Sequence, residues 1–194
     1  YYTDADRPAG HQQLGPGDIV YVLPGEINFQ YLYDGQNESL FLRDVHGTAE
    51  APIRLQAMSG AKLRSLAADG SEMNAIHLLG SSHIDVVGFD ITSYGSAVRL
   101  ADTEFIGVYD NYIHDVDGWA NDNLSGIYLT DAHSTTIQGN LLRDIYDRNQ
   151  PESQNNRPIV IFGSMNVRLL YNEVWNSRPE TGFGIEYKHL GSLS

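Results

Sequence analysis

The 194-residue chain has no cysteine, so disulfides, thiolate metal sites and thiol nucleophiles are all excluded, and cysteine usage says nothing about compartment. Basic residues are scarce: 12 Lys and Arg stand against 25 Asp and Glu, a formal net charge of -13. That balance argues against nucleic-acid binding by phosphate neutralisation and is compatible with solubility in salt, calcium binding or repulsion from anionic polymers. No apolar run approaches the roughly 20 residues of a membrane-spanning helix, which predicts no membrane span. Residues 1–10 lack the basic and apolar regions of a signal peptide, so a secreted form implies that such a segment has already been removed. Helical periodicity is missing as well. The apolar runs are four to six residues long and are broken by Gly, Asn and Asp, and no helix is expected after Gly70.

A repeat takes the place of helices. Ile76/Leu78, Ile84/Val86 and Ile91 recur as Val98/Leu100, Ile106/Val108 and Ile113, each member shifted by 22. The pattern returns as Ile127/Leu129, Ile137 and Leu142 after a shift of 29, then as Ile159/Ile161, Val167/Leu169 and Val174 after 32. Short alternating segments at such a period predict an all-β solenoid of three-strand coils, with inward Ile, Leu and Val stacked along the axis. With 41% apolar residues the chain can fill one continuous core.

Residues 1–17 read as an irregular lead-in and 18–194 as the solenoid. Gly17 to Gly25 reads as a turn, an alternating strand and a second turn, and Tyr31, Tyr33, Leu40 and Leu42 as two strands around the Asp34-Gly35 turn. The step of 23 from Ile53 to Ile76 places the start of the regular coils at Pro52. Asn111, Asn140 and Asn172 each stand two residues before the last inward apolar residue of a coil, which predicts a stacked structural ladder rather than a ligand set. The strand beginning near Gly182 is followed by Gly191 to Ser194 with no polar cap, so the solenoid is expected to be incomplete at its C-terminal end and open to self-association there.

These features resemble the right-handed parallel β-helix proteins of the pectate-lyase-like superfamily. The resemblance is carried by Gly17-Asp18-Ile19-Val20-Tyr21-Val22-Leu23-Pro24-Gly25, by Gly47-Thr48-Ala49-Glu50-Ala51-Pro52-Ile53 and by the repeated Asn-x-apolar turns, and it covers residues 17–191. It implies a right-handed helix and a secreted or cell-surface protein acting on carbohydrate. Polysaccharide lyases, glycoside hydrolases, epimerases and non-catalytic proteins all use this fold, so fold does not choose among them.

In the resembling enzymes the substrate groove runs over a sheet face. Applying the register to the first strand of each coil gives an outward column of His77, Arg99, Tyr128, Val160 and Glu186, and a second of Leu79, Ala101, Thr130, Phe162 and Lys188. Charged and aromatic side chains mixed on one face suit sugar rings and their carboxylates. The extra residues at 114–123 and 147–157 both precede a first strand and are expected to wall one groove edge.

Elimination from a uronate needs its carboxylate neutralised and a base for the C5 proton. Lys188 is the expected base, Glu186 with calcium or Arg99 the expected handler of the carboxylate, and Tyr128 the group that positions the sugar or supplies a proton. His77, Phe162, His189 and Trp119 complete the substrate-binding set. Alginate-lyase-like and chondroitinase-B-like members use two acidic calcium ligands on one strand and then a lysine; this chain has Glu186 and Lys188 without the second acid. Calcium is the expected cofactor, with Glu186, Asp115, Asp117 and Asp122 as candidate ligands, although no Glu stands at the twelfth position from Asp115. The expected function is therefore a polysaccharide lyase acting on an acidic polysaccharide by β-elimination. The alternative is a non-catalytic carbohydrate-binding or fibre-forming β-helix.

Overall fold

Side chains alternating between inside and outside give short strands, and the chain winds these into coils. The computed structural model describes residues 13–28, 31–33, 36–65, 74–116, 124–146, 156–175 and 184–188. Every regular element among them is a strand, and none of them forms a helix long and apolar enough to cross a membrane. The first sheet holds β3 (Tyr31–Tyr33), β4 (Gln36–Arg43), β7 (Asn74–Leu79), β10 (Ser96–Ala101), β13 (Ser125–Thr130), β16 (Arg157–Phe162) and β19 (Ile185–Lys188). In the second lie β1 (Ile19–Val22), β5 (Ile53–Ala57), β8 (Ser82–Val87), β11 (Glu104–Tyr109), β14 (Thr136–Gln138) and β17 (Arg168–Leu170). The third holds β2 (Gly25–Ile27), β6 (Ala61–Arg64), β9 (Asp90–Thr92), β12 (Tyr112–Val116), β15 (Leu141–Ile145) and β18 (Glu173–Trp175). Successive strands visit the three sheets in turn, and neighbours within a sheet run parallel except for the β3–β4 pair. This is a parallel β-helix.

The apolar columns stack as the repeat predicts. Ile76, Val98, Ile127 and Ile159 are register partners in succession, as are Leu78, Leu100, Leu129 and Ile161. Val86, Val108, Ile137 and Leu169 line the second sheet, and Ile91, Ile113, Leu142 and Val174 the third. Most of these side chains are fully buried, each worth about 1.5–3 kcal/mol against exposure. They form one continuous core.

One register expectation is corrected. Ile53 pairs with Ile84 in the second sheet, the partner of Ile76 is Leu40 on β4, and β1 and β2 already stack in parallel on β5 and β6, so the coils begin at β1 rather than at Pro52. All three sheets use the same apolar-x-apolar pattern, and a step length alone does not say which sheet a strand joins. The strand pair expected on either side of Asp34-Gly35 is present, with Tyr31 opposite Glu38 and Tyr33 opposite Gln36, while the two turn residues themselves lie outside the described residues.

Backbone geometry at the corners follows from residue type. Each strand of the first sheet from β4 to β16 ends in a left-handed residue: Asp44, Gly80, Asp102, Asp131 and Gly163, with φ between 49° and 62°. Glycine and aspartate are among the residues that adopt this region most readily. At the next corner the asparagine ladder forms as expected. Asn111 Nδ2 donates to Asn140 Oδ1 at 2.9 Å, and Asn140 Nδ2 donates to Asn172 Oδ1 at 2.9 Å. Both acceptor oxygens also take a backbone N–H, from Asn111 and Asn140 respectively, at 3.0 Å.

Candidate functional site

The outer face of the first sheet carries both predicted columns in the predicted register. Phe41, His77, Arg99, Tyr128, Val160 and Glu186 are successive partners across the strands. Leu79, Ala101, Thr130, Phe162 and Lys188 form the second column, two residues further along. Four connections join the third sheet to the first, at 66–73, 117–123, 147–155 and 176–183; these lie outside the described residues. Trp119, Asp117, Asp122 and His189 fall outside them too.

Two chemical centres stand on this face. Arg99 holds its guanidinium over the Tyr128 ring, 5.4 Å from the centroid. Its Nε is buried and has no hydrogen-bond partner among the described residues, and the same holds for Thr130 Oγ1 on the neighbouring column. At the other end, Glu186 Oε2 lies 3.3 Å from Arg157 Nε and 3.4 Å from Lys188 Nζ. Three strand spacings of roughly 4.8 Å separate β10 from β19, so Arg99 and Lys188 spring from backbones about 14 Å apart or more.

The outward column is not uniformly open. His77 is 6% exposed, with its ring tilted against Phe41 at 5.1 Å between centroids, and Val160 is also buried. Phe162, Arg99 and Tyr128 are partly exposed, and Lys188 is exposed.

Of the metal candidates, Asp115 and Glu186 stand on different sheets, and Asp117 and Asp122 lie outside the described residues. Asp115 belongs to the third sheet, where its carboxylate lies 2.6 Å from His114 Nδ1, while His114 Nε2 lies 3.0 Å from Asp90. Glu186 stands on the first sheet with one oxygen already shared by two cations. Glu186 Oε2 is thus engaged in ion pairing with both Arg157 and Lys188. Among the described residues no three His, Asp or Glu side chains are placed to hold a metal. His133 is structural, its Nδ1 accepting from Met165 N–H at 3.1 Å.

Arg157 escaped the sequence reading. Alternation places it with Ile159 and Ile161 on the inward side, yet at the first position of β16 its side chain reaches Glu186. Its signal was its position, at the end of the long insertion and two residues before the first core residue of the coil.

No family model matches the chain, and no curated protein matches it in sequence. A rhamnogalacturonan lyase of known structure aligns with 91% of this chain and 55% of its own, at 16% identity and a TM-score of 0.65. The two share the parallel β-helix. At that identity the likeness concerns fold, and this chain spans just over half the length of the lyase chain. The catalytic domain of a GH87 alpha-1,3-glucanase, solved with tetrasaccharides, aligns with 85% of this chain and 35% of its own at 13% identity; its TM-score of 0.28 carries no argument.

Proposed function

We propose that the chain is the β-helix of a secreted or cell-surface, carbohydrate-active protein whose first-sheet face binds an acidic polysaccharide and cleaves it by β-elimination. The observation that carries this reading is Arg99: a cation stacked on Tyr128 whose buried Nε has no acceptor among the described residues. The rest of the partly exposed Arg99 side chain is open to a ligand carboxylate, which a guanidinium takes through strong charge-assisted hydrogen bonds. Arg99 and Tyr128 thus hold one uronate of a bound chain, the ring stacking while the guanidinium pairs. Lys188, exposed at the far end of the face, takes the C5 proton from another unit. As the C4–O bond breaks, the electron pair of the C5–H bond becomes the C4–C5 double bond, conjugated with the carboxylate and absorbing in the ultraviolet, and the leaving oxygen keeps the C4–O pair and takes a proton from water.

The experiment is incubation of the full-length protein with rhamnogalacturonan, alginate, pectate and glycosaminoglycans, with and without calcium, while following that absorbance. Product with a uronate polymer, lost in Lys188→Ala, is the expected result. No product from any of them rules out the lyase reading. A second reading has its own support, because Lys188 is ion-paired with Glu186 rather than free. Polymer binding that depends on Arg99 without any product would make the face a non-catalytic carbohydrate-binding surface.

A further inference from the structure

Glu186 is held from two sides, and the two cations differ in kind. The Arg157 side chain is 8% exposed, that of Lys188 48%, and that of the carboxylate between them 27%. Arg157 Nη1 also donates to Asn156 O at 3.0 Å, fixing the guanidinium from behind. A buried guanidinium is costly unless it is paired, and Arg157 Nε lies at ion-pair distance from Glu186 Oε2, 3.3 Å. Lys188 shares that acceptor. A lysine stem is flexible, and a fixed partner restricts where its amine goes.

We propose that Arg157 is a positioning residue for Lys188, acting through the Glu186 carboxylate that both cations share. This rests on the reading of the first-sheet face as the reacting face. The chain contains its own comparison, since Lys62 and Lys188 are its two lysines. Lys62 Nζ lies 3.4 Å from Asp90 Oδ2 with a side-chain exposure of 50%, nearly the values of Lys188. His114 engages the other oxygen of Asp90, and the described ion pairs put no arginine on that carboxylate. The two pairs therefore differ chiefly in the buried arginine.

The test uses the chain labelled with ¹⁵N-lysine, which gives two side-chain amine signals. Arg157→Gln is expected to displace the Lys188 signal and leave that of Lys62 in place. In a Glu186→Gln background the same substitution is expected to displace Lys188 no further. An unmoved Lys188 signal, or an equal displacement in both backgrounds, overturns the proposal. Should Arg157→Gln fail to fold, Arg157→Met removes the fork without adding a third lysine signal and carries the same comparison. In turnover, Arg157→Gln should lower kcat about ten-fold or more with KM changed less than about two-fold, and the loss should not add to that of Glu186→Gln. Additive losses overturn it. The amine signals need no turnover, so a protein that makes no unsaturated product removes the lyase reading while the positioning of Lys188 is still decided.

Discussion

Asn140 shows how much one side chain can hold in a coil. Its Nδ2 donates to Val108 O at 2.9 Å and Asn172 Oδ1 at 2.9 Å, while its Oδ1 accepts from the backbone and side chain of Asn111. Asn140→Ala leaves several of these buried groups unpaired, each costing about 1–3 kcal/mol, and is expected to lower stability by about 2–4 kcal/mol in urea unfolding. Asn172, partly buried one coil further on, should cost less when replaced. Tyr94 acts through its proton. Fully buried, with its hydroxyl 2.9 Å from Ser39 Oγ, it is pushed from 10.0 to about 12, mainly by burial, with the Ser39 hydrogen bond opposing. A raised folded value means that the folded state keeps a proton the unfolded state loses. The stability contribution is whole below about pH 10 and falls as pH rises through about 12, by roughly 2–3 kcal/mol. Unfolding free energies across that range should slope downward in the wild type and more weakly in Tyr94→Phe.

At the scale of strands and turns, backbone crowds a glycine closely in the turn leading into β5. A Cβ on Gly47 would lie 2.5 Å from His83 O and 2.8 Å from Ile53 N, both backbone atoms that cannot swing aside. Gly47→Ala should therefore cost about 1–3 kcal/mol by thermal denaturation, whereas Gly15→Ala, with nothing within 4 Å, should change nothing measurable. Gly47 stood in the sequence at the head of the Gly47-to-Ile53 segment that carried part of the resemblance, with nothing there to show how closely it packs. The columns on the first sheet were legible: shifts of 22, 29 and 32, then 26 to Tyr187, are the register the strands adopt, because a period-2 alternation locked to a buried core leaves no freedom to slip. What the pattern did not contain was sheet identity for Ile53, since strands of all three sheets look alike. Nor did it contain Arg157, because alternation governs side chains inside a strand and Arg157 begins one. The pairing of Asp115 with His114 was equally hidden, as adjacent residues on a strand ordinarily point apart and Asp115 adopts a φ of 46°.

For the molecule as a whole, the net charge and the proposed face pull in opposite directions. A chain of formal charge -13 would repel a uronate polymer at long range, while Arg99 and Lys188 on the proposed face would attract it at contact. The two effects respond differently to salt. Long-range repulsion acts over distances beyond the Debye length, about 10 Å at 0.1 M ionic strength, and is screened first. Contact pairs that are partly buried, such as a carboxylate on Arg99, are screened later. Affinity for a long uronate polymer is therefore expected to rise as salt is added to a low-salt buffer, reach a maximum, and decline as the contacts themselves weaken. Short oligouronates carry less charge away from the face and should show mainly the decline. Arg99→Gln should weaken binding at every salt concentration, because it removes the contact and leaves the repulsion, whereas Arg143→Gln on the third sheet should leave the maximum where it is. Titrations of polymer and oligomer across a salt series decide this: a monotonic fall for the polymer, or equal effects of Arg99→Gln and Arg143→Gln, would mean that the first-sheet face is not where the polymer binds.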